Sequence, residues 1–184
     1  MIKNSILLLC SLFVFGCSEE PSGQTPTLDS SIDHTKHIIF APPKSPALLT
    51  ITGSITQFNQ QRSLLLDRET LLSFPQVTVK TSTLWTDGES TFTGPLIKDV
   101  LNSAGNTADF ISAIAINEYS IEIPVSDINK YSVIFALKKD GNALSIREKG
   151  PIWVIYPWSE HDELKQDKYY SRSIWQLKKI YLHD

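Results

Sequence analysis

The residues best suited to chemistry lie close together near the end of the chain. Trp153, Tyr156, Trp158, Tyr169, Tyr170, Trp175 and Tyr181 fall in one short stretch, with Arg147 and Arg172 beside them. Two arrangements use such a set. In strands, Trp153 and Trp175 would each cover part of a sheet face and belong to the core. In a concave site the rings would form an apolar wall and an arginine would take an anion. Trp158, beside Pro157 in a loop, is the ring that core packing explains least.

Other reactive side chains are sparse. His34 and His37 form a His-x-x-His pair, but zinc takes three or four ligands and no others are near, so two solvated histidines are expected. His161-Asp162-Glu163 reads as a polar surface turn rather than a metal or acid/base site, and His183 as a solvated residue. The two cysteines are Cys10 and Cys17, so processing just before Cys17 would leave no thiol pair for a disulfide or a zinc site. There is no Gly-x-Ser-x-Gly elbow, no phosphate loop and no dinucleotide fingerprint.

Charge and size exclude further classes. The 184 residues are 41% hydrophobic and 20% charged, as in a globular chain with one domain plus targeting sequence. There are 17 basic and 20 acidic residues, a net charge of −3. Only Lys3 precedes Cys17, so 17 − 1 leaves 16 basic against 20 acidic residues in the remainder. Such a balance does not suit phosphate backbones, and nucleic acid is not expected as a partner.

The N-terminus has its own logic. Lys3 supplies a positive end, and Ile6–Phe15 is a ten-residue apolar run. A bilayer span takes roughly 20 such residues, so the run has the size of a signal-peptide core. Val14-Phe15-Gly16-Cys17 resembles a bacterial lipobox, with Phe15 a less usual residue beside the glycine. That resemblance implies cleavage of signal peptide 1–16 and acylation of Cys17 by two or three chains, palmitate among them, enough to hold a protein on membrane lipid. Ser18, where an aspartate would resemble an inner-membrane retention signal, favours the outer membrane, facing the periplasm. Residues 17–47, rich in Pro, Ser, Thr and acids, read as a lipid-anchored flexible tether reaching on the order of 30 Å.

Residues 48–184 read as the folded domain. Strands are expected at Leu48–Thr52, Gln76–Thr81, Phe110–Ile116, Tyr119–Val125, Val133–Leu137, Ile152–Tyr156 and Ile174–Leu182. Asp67 would cap a short helix through Leu72, ended by Pro75. Pro95 would open a second helix carrying Leu96, Ile97, Val100 and Leu101 and ending at Gly105, and Ser126 would cap a single turn. Thr86-Asp87-Gly88 and Asp140-Gly141-Asn142 read as turns. The class is α+β, mostly mixed or antiparallel sheet with a few short helices.

Phe92-Thr93-Gly94-Pro95-Leu96 with Asp99-Val100-Leu101 is followed by Ala115–Ser120, Ile123–Asp127 and Ile134–Leu137, and then by Asp140–Leu144, Arg147–Pro157 and Ile174–Ile180. In this order, over about residues 48–182, the segments resemble the sulfite-oxidase-type molybdopterin-binding oxidoreductase domain. The resemblance implies that family's α+β fold around a deep pocket for a molybdenum–pterin cofactor. It also implies a cysteine ligand on the segment that is here Thr81-Ser82-Thr83-Leu84-Trp85, which has none, and in many members an arginine where Trp153 stands. Losing a thiolate and a cation argues against holding an anionic cofactor in the usual way.

The expectation is therefore a membrane-anchored periplasmic lipoprotein with a degenerate, non-catalytic version of that domain, binding a small ligand or a membrane or periplasmic protein partner. Ser82, Trp85, Asn117, Tyr119, Arg147 and Trp153 are the pocket candidates, Asn117 and Arg147 as polar contacts and the rings as stacking surface. No catalytic or metal-ligating residue is assigned. The alternative is a molybdenum-cofactor-dependent oxidoreductase lacking the usual cysteine, with Ser82 oxygen as the ligand. A purely accessory or anchoring lipoprotein is the third reading.

Overall fold

The computed structural model describes residues Phe40 to Asp184. Residues 1–39, on which the expected signal peptide 1–16, Cys17, His34, His37 and most of the expected tether fall, lie outside the described residues. No helix among the described residues is long and apolar enough to cross a membrane.

The largest sheet has five strands. β1 (Leu49–Gly53), β2 (Leu64–Leu66), β5 (Phe110–Ala115), β6 (Ser120–Pro124) and β11 (Leu177–His183) lie in the order β2-β1-β11-β5-β6. Every pairing is antiparallel except β1 with β11, where Ile51 lies opposite Ile180. Alternation selects the buried face: Leu49 and Ile51, Ile111 and Ala113, Ile180 and Leu182 are fully buried, while Thr50, Thr52 and Ser112 point the other way. A register shift between Leu177 and Lys179 lets β11 keep both ends inward.

A second sheet runs β3 (Gln76–Ser82), β4 (Glu89–Pro95), β8 (Lys138–Lys139) and β9 (Asn142–Ala143), all antiparallel. The buried β7 (Ile134–Ala136) and β10 (Trp153–Ile155) form a two-stranded ladder. β7 crosses β4 so closely that a Cβ at Gly94 would stand 1.9 Å from the Phe135 carbonyl oxygen. Only glycine fits that crossing.

Helices are short. α1 (Arg68–Ser73) starts at Asp67, as expected, whose carboxylate accepts from the Thr70 N–H at 2.9 Å and the Thr70 hydroxyl at 2.7 Å. Its other oxygen accepts from the N–H groups of Lys44 (3.0 Å) and Ser45 (3.2 Å) and from the Ser45 hydroxyl. These bonds, the Thr70 N–H first, hold the Asp67 carboxyl down to about 2 against the opposing effect of burial. They also tie residues expected in the tether onto the domain, and Phe40 packs near Phe74 at 6.4 Å between rings. The packed body thus begins earlier than residue 48.

α2 (Ile97–Ser103) starts two residues after Pro95, which closes β4 instead of opening the helix. The Ile97 N–H donates to Val133 O at 2.9 Å, so the neighbouring strand segment supplies the cap. α3 (Val125–Lys130) likewise uses no side-chain cap: the Val125 N–H donates to Asp109 O at 2.8 Å, and Ser126 lies inside the helix. α4 (Asp167–Arg172), β2 and β4 are elements the periodicity did not announce.

Candidate functional site

A cleft of about 420 Å³ opens where four chain segments meet. That volume suits a small molecule. Trp85 comes from the loop after β3, Ala115, Asn117 and Tyr119 from the β5–β6 turn, and Asp167, Tyr170 and Ser171 from α4. Ser173, Ile174 and Trp175 follow on the way into β11.

Local bonding fixes each wall. The Trp85 N–H donates to the Thr83 hydroxyl at 3.0 Å, and the Thr83 and Thr86 hydroxyls lie 3.1 Å apart, so a hydroxyl-braced turn presents the indole. Asn117 uses its side-chain oxygen to accept from the Tyr119 N–H at 3.1 Å, with Glu118 at φ 65° closing the turn. Its amide NH2 remains a donor at the rim. On α4, Arg172 Nη1 meets Asp127 Oδ2 at 2.5 Å, both side chains mostly buried, and the Tyr156 hydroxyl donates to the same carboxylate at 3.4 Å. Burial first, and the Asp127 charge next, push the Tyr156 hydroxyl well above its usual range, so it stays a neutral donor. This staple holds α4 against α3.

The back of the cleft is indole. Trp85 meets Trp175 edge-on at 5.1 Å between centroids, and Trp153 stands behind Trp85 at 6.1 Å, itself against Phe92 at 5.4 Å. Trp153 is 1% exposed and donates its ring N–H to Ser173 O at 3.1 Å. The Lys149 ammonium lies over the same three indoles, 4.2 Å from Trp175, 5.5 Å from Trp153 and 5.9 Å from Trp85.

Of the sequence candidates, Trp85, Asn117 and Tyr119 line the cleft. Trp153 does not: it is core, packed behind Trp85. Ser82 is exposed on β3, where Val79 and Thr81 take the inward positions, so alternation turns its hydroxyl away from the core; it does not line the cleft. Arg147 is exposed on a 3-10 turn, Ile146–Glu148, braced by the Ser145 and Glu148 side chains, and does not line the cleft either. Arg172 is spent on Asp127. Trp158 is 1% exposed and buried rather than presented by its loop. His161 lies on a surface turn, edge-on to Tyr131 at 5.1 Å. His183 is not simply solvated: it stacks with Phe110 and Tyr181 and lies 3.0 Å from the Ser112 hydroxyl.

The pocket candidates drawn from sequence did not include the α4 side of the wall or the approach to β11, Tyr170, Ser171, Ser173, Ile174 and Trp175 among them, nor Asp167, a polar position at the start of a helix too short to show periodicity. Its neighbours Tyr169-Tyr170 were the available signal. Asp167 is also the charged residue of the lining, which includes no Lys, Arg, His or Cys. A molybdenum–pterin cofactor carries a phosphate and takes a soft thiolate ligand; this donor set fits neither requirement. Among the described residues no group of three or more His, Cys, Asp or Glu is placed to hold a metal ion.

No protein-family model and no curated protein matches the chain. Among solved structures, the sulfane dehydrogenase SoxCD from Paracoccus pantotrophus is similar in fold, with a TM-score of 0.56 at 18% sequence identity. The match covers 74% of this chain but 38% of that one, so the chain spans well under half of the enzyme's length. The likeness is one of backbone architecture, and it agrees with the α+β class, mostly antiparallel with a few short helices, expected from the sequence.

Proposed function

We propose that the chain is a small-ligand-binding module of a membrane-anchored periplasmic lipoprotein, in which a molybdopterin-oxidoreductase-like cleft has become a non-catalytic binding site. The observation that carries this reading is the lining: aromatic rings, one carboxylate and short polar groups, with no thiol and no cation. Trp85 and Trp175 would stack on the ligand, and the Asn117 amide and the Ser171 hydroxyl would orient it. Anchoring would come from acylated Cys17, on the outer membrane by the Ser18 signal. The fold likeness to a sulfane dehydrogenase keeps a cofactor-dependent oxidoreductase as the second reading.

Molybdenum and pterin content separates the two, measured on protein purified from periplasm of cells competent to make the cofactor. A folded protein with neither is the expected result. Stoichiometric molybdenum, lost in Ser82→Ala, would overturn the non-catalytic reading. Radiolabelled palmitate should enter the wild-type chain and not Cys17→Ser; equal labelling of both would remove the lipoprotein assignment.

A further inference from the structure

Ring faces attract cations, and here the protein has already placed one on them. The Lys149 ammonium rests on Trp175, Trp153 and Trp85 and makes no ion pair among the described residues. Lys149 sits at φ 71° after the Ile146–Glu148 turn, with its backbone oxygen accepting from the Gln176 N–H at 3.0 Å. The backbone is therefore tied down, while the long side chain is held only by the rings and is half-buried. Trp85 and Trp175 belong to this ammonium site and to the cleft at once. On its other side the cleft offers Tyr119, Tyr170 and the Asp167 carboxylate. Four rings and one carboxylate line the cleft, and Lys149 is the cation already on two of those rings, so a ligand's positive charge finds ring faces and a counter-charge once that ammonium moves away.

We propose that the cleft binds an organic cation, an amine or quaternary ammonium group with an apolar body, and that the Lys149 ammonium is its internal competitor for the indole faces. The inference rests on the binding-module reading and names its ligand class. In the empty site Lys149 satisfies the rings. A ligand cation takes the Trp85–Trp175 faces with Asp167 as counter-charge, and Lys149 withdraws along its flexible stem into water. The sign of its effect follows: removing the Lys149 charge strengthens a cationic ligand and weakens an anionic one.

The test uses three probes on one carbon skeleton, titrated against the full chain by tryptophan fluorescence and calorimetry. They are choline, its uncharged counterpart 3,3-dimethylbutan-1-ol, and the anion 3,3-dimethylbutanoate. Choline should bind about tenfold tighter than the alcohol, and the anion weakest. Asp167→Asn should weaken choline several-fold and leave the alcohol unchanged, whereas Lys149→Met should tighten choline. Both positions are at least partly exposed, and an unchanged near-ultraviolet dichroism spectrum checks that each variant is folded. Equal affinity for choline and the alcohol, preference for the anion, weaker choline binding in Lys149→Met, or no binding of any probe would each overturn the proposal. If the alcohol binds and is lost in Trp175→Ala while choline shows no advantage, the cation inference fails and the binding module stands. Failure of all three probes together with stoichiometric molybdenum sinks both.

Discussion

Two aromatic clusters border the cleft, and they are built on different terms. One joins Trp85, Trp153, Trp175 and Phe92 under the Lys149 ammonium. The other joins Tyr131, Tyr156, Trp158, Tyr169 and Tyr170 around the Asp127–Arg172 pair. The tryptophan cluster gives two rings to the cleft and keeps Trp153 as backing. The tyrosine cluster gives Tyr170 alone and turns its remaining rings on one another. Ring content is similar in both, so composition does not separate binding wall from scaffold. What separates them is where the polar groups go. In the tyrosine cluster the mostly buried charges are consumed internally, Arg172 by Asp127 and by the Tyr169 face at 5.6 Å. In the tryptophan cluster the charge is a lysine with nothing but ring faces to hold it.

The sharpest way to break this contrast is to truncate within one cluster at two depths. Trp153→Ala should cost about 3–5 kcal/mol of stability, the usual penalty for emptying a fully buried aromatic site. Trp175→Ala removes a partly exposed ring from the same cluster and should cost clearly less, while abolishing probe binding in the cleft. Denaturant unfolding with ligand titration of both variants checks this. If Trp175→Ala unfolds the protein as badly as Trp153→Ala, the cluster is a single structural unit and not backing plus binding surface.

The tyrosine cluster predicts a smaller effect of a different kind. Asp127→Ala leaves the Arg172 guanidinium mostly buried without its carboxylate and strips the Tyr156 hydroxyl of its acceptor. Fully buried pairs broken this way lose about 3–5 kcal/mol; with both side chains still partly solvated, about 2 kcal/mol is expected here. Since α4 carries Asp167 and Tyr170, probe affinity should fall in parallel with stability. Replacing both partners together, Asp127→Leu with Arg172→Met, should recover part of the stability, because no charge is left stranded while the Tyr156 hydroxyl still lacks its acceptor. A double variant as unstable as Asp127→Ala would show that the stranded guanidinium is not what Asp127→Ala costs.

How much of this was legible beforehand follows the physics of each signal. Strand alternation in Leu49–Gly53, Gln76–Ser82 and Leu177–His183 was readable because one face is core and the other is not. The Asp67 cap was readable because a carboxylate before a short apolar helix has one obvious use. Capping of α2 and α3 was not, since the acceptors Val133 O and Asp109 O are backbone groups from segments adjacent only after folding. In the site, Trp85, Asn117 and Tyr119 could be named from motif order. Arg147 and Ser82 were misplaced because motif order does not say which face of a turn or strand a side chain takes. Asp167 left no trace in sequence beyond its neighbours Tyr169-Tyr170: α4 is six residues long, and its cleft-facing side is set by the Arg172–Asp127 contact forty-five residues away.

The smallest predicted difference isolates one atom in each cluster. Trp153 and Trp158 are both 1% exposed, so replacing either with Phe removes the same ring volume from a sealed site. Their ring N–H groups are used differently. Trp153 donates to Ser173 O at 3.1 Å, whereas the Trp158 ring N–H has no partner among the described residues. Trp153→Phe therefore leaves a carbonyl unpaired in a residue with no exposure, while Trp158→Phe removes a buried donor that was already unsatisfied. Leaving a buried polar group without its partner costs about 1–3 kcal/mol, and deleting an orphan recovers part of the same sum. The shared volume loss cancels in the comparison, and so do most of the ring contacts, which Trp153 makes with Trp85 and Phe92 and Trp158 with Tyr156 and Tyr170. Trp153→Phe should thus be less stable than Trp158→Phe by about 1–2 kcal/mol in matched denaturant titrations. Equal losses would mean that a bound water satisfies the Trp158 ring N–H. The tyrosine cluster would then hold its polar groups as completely as its neighbour does.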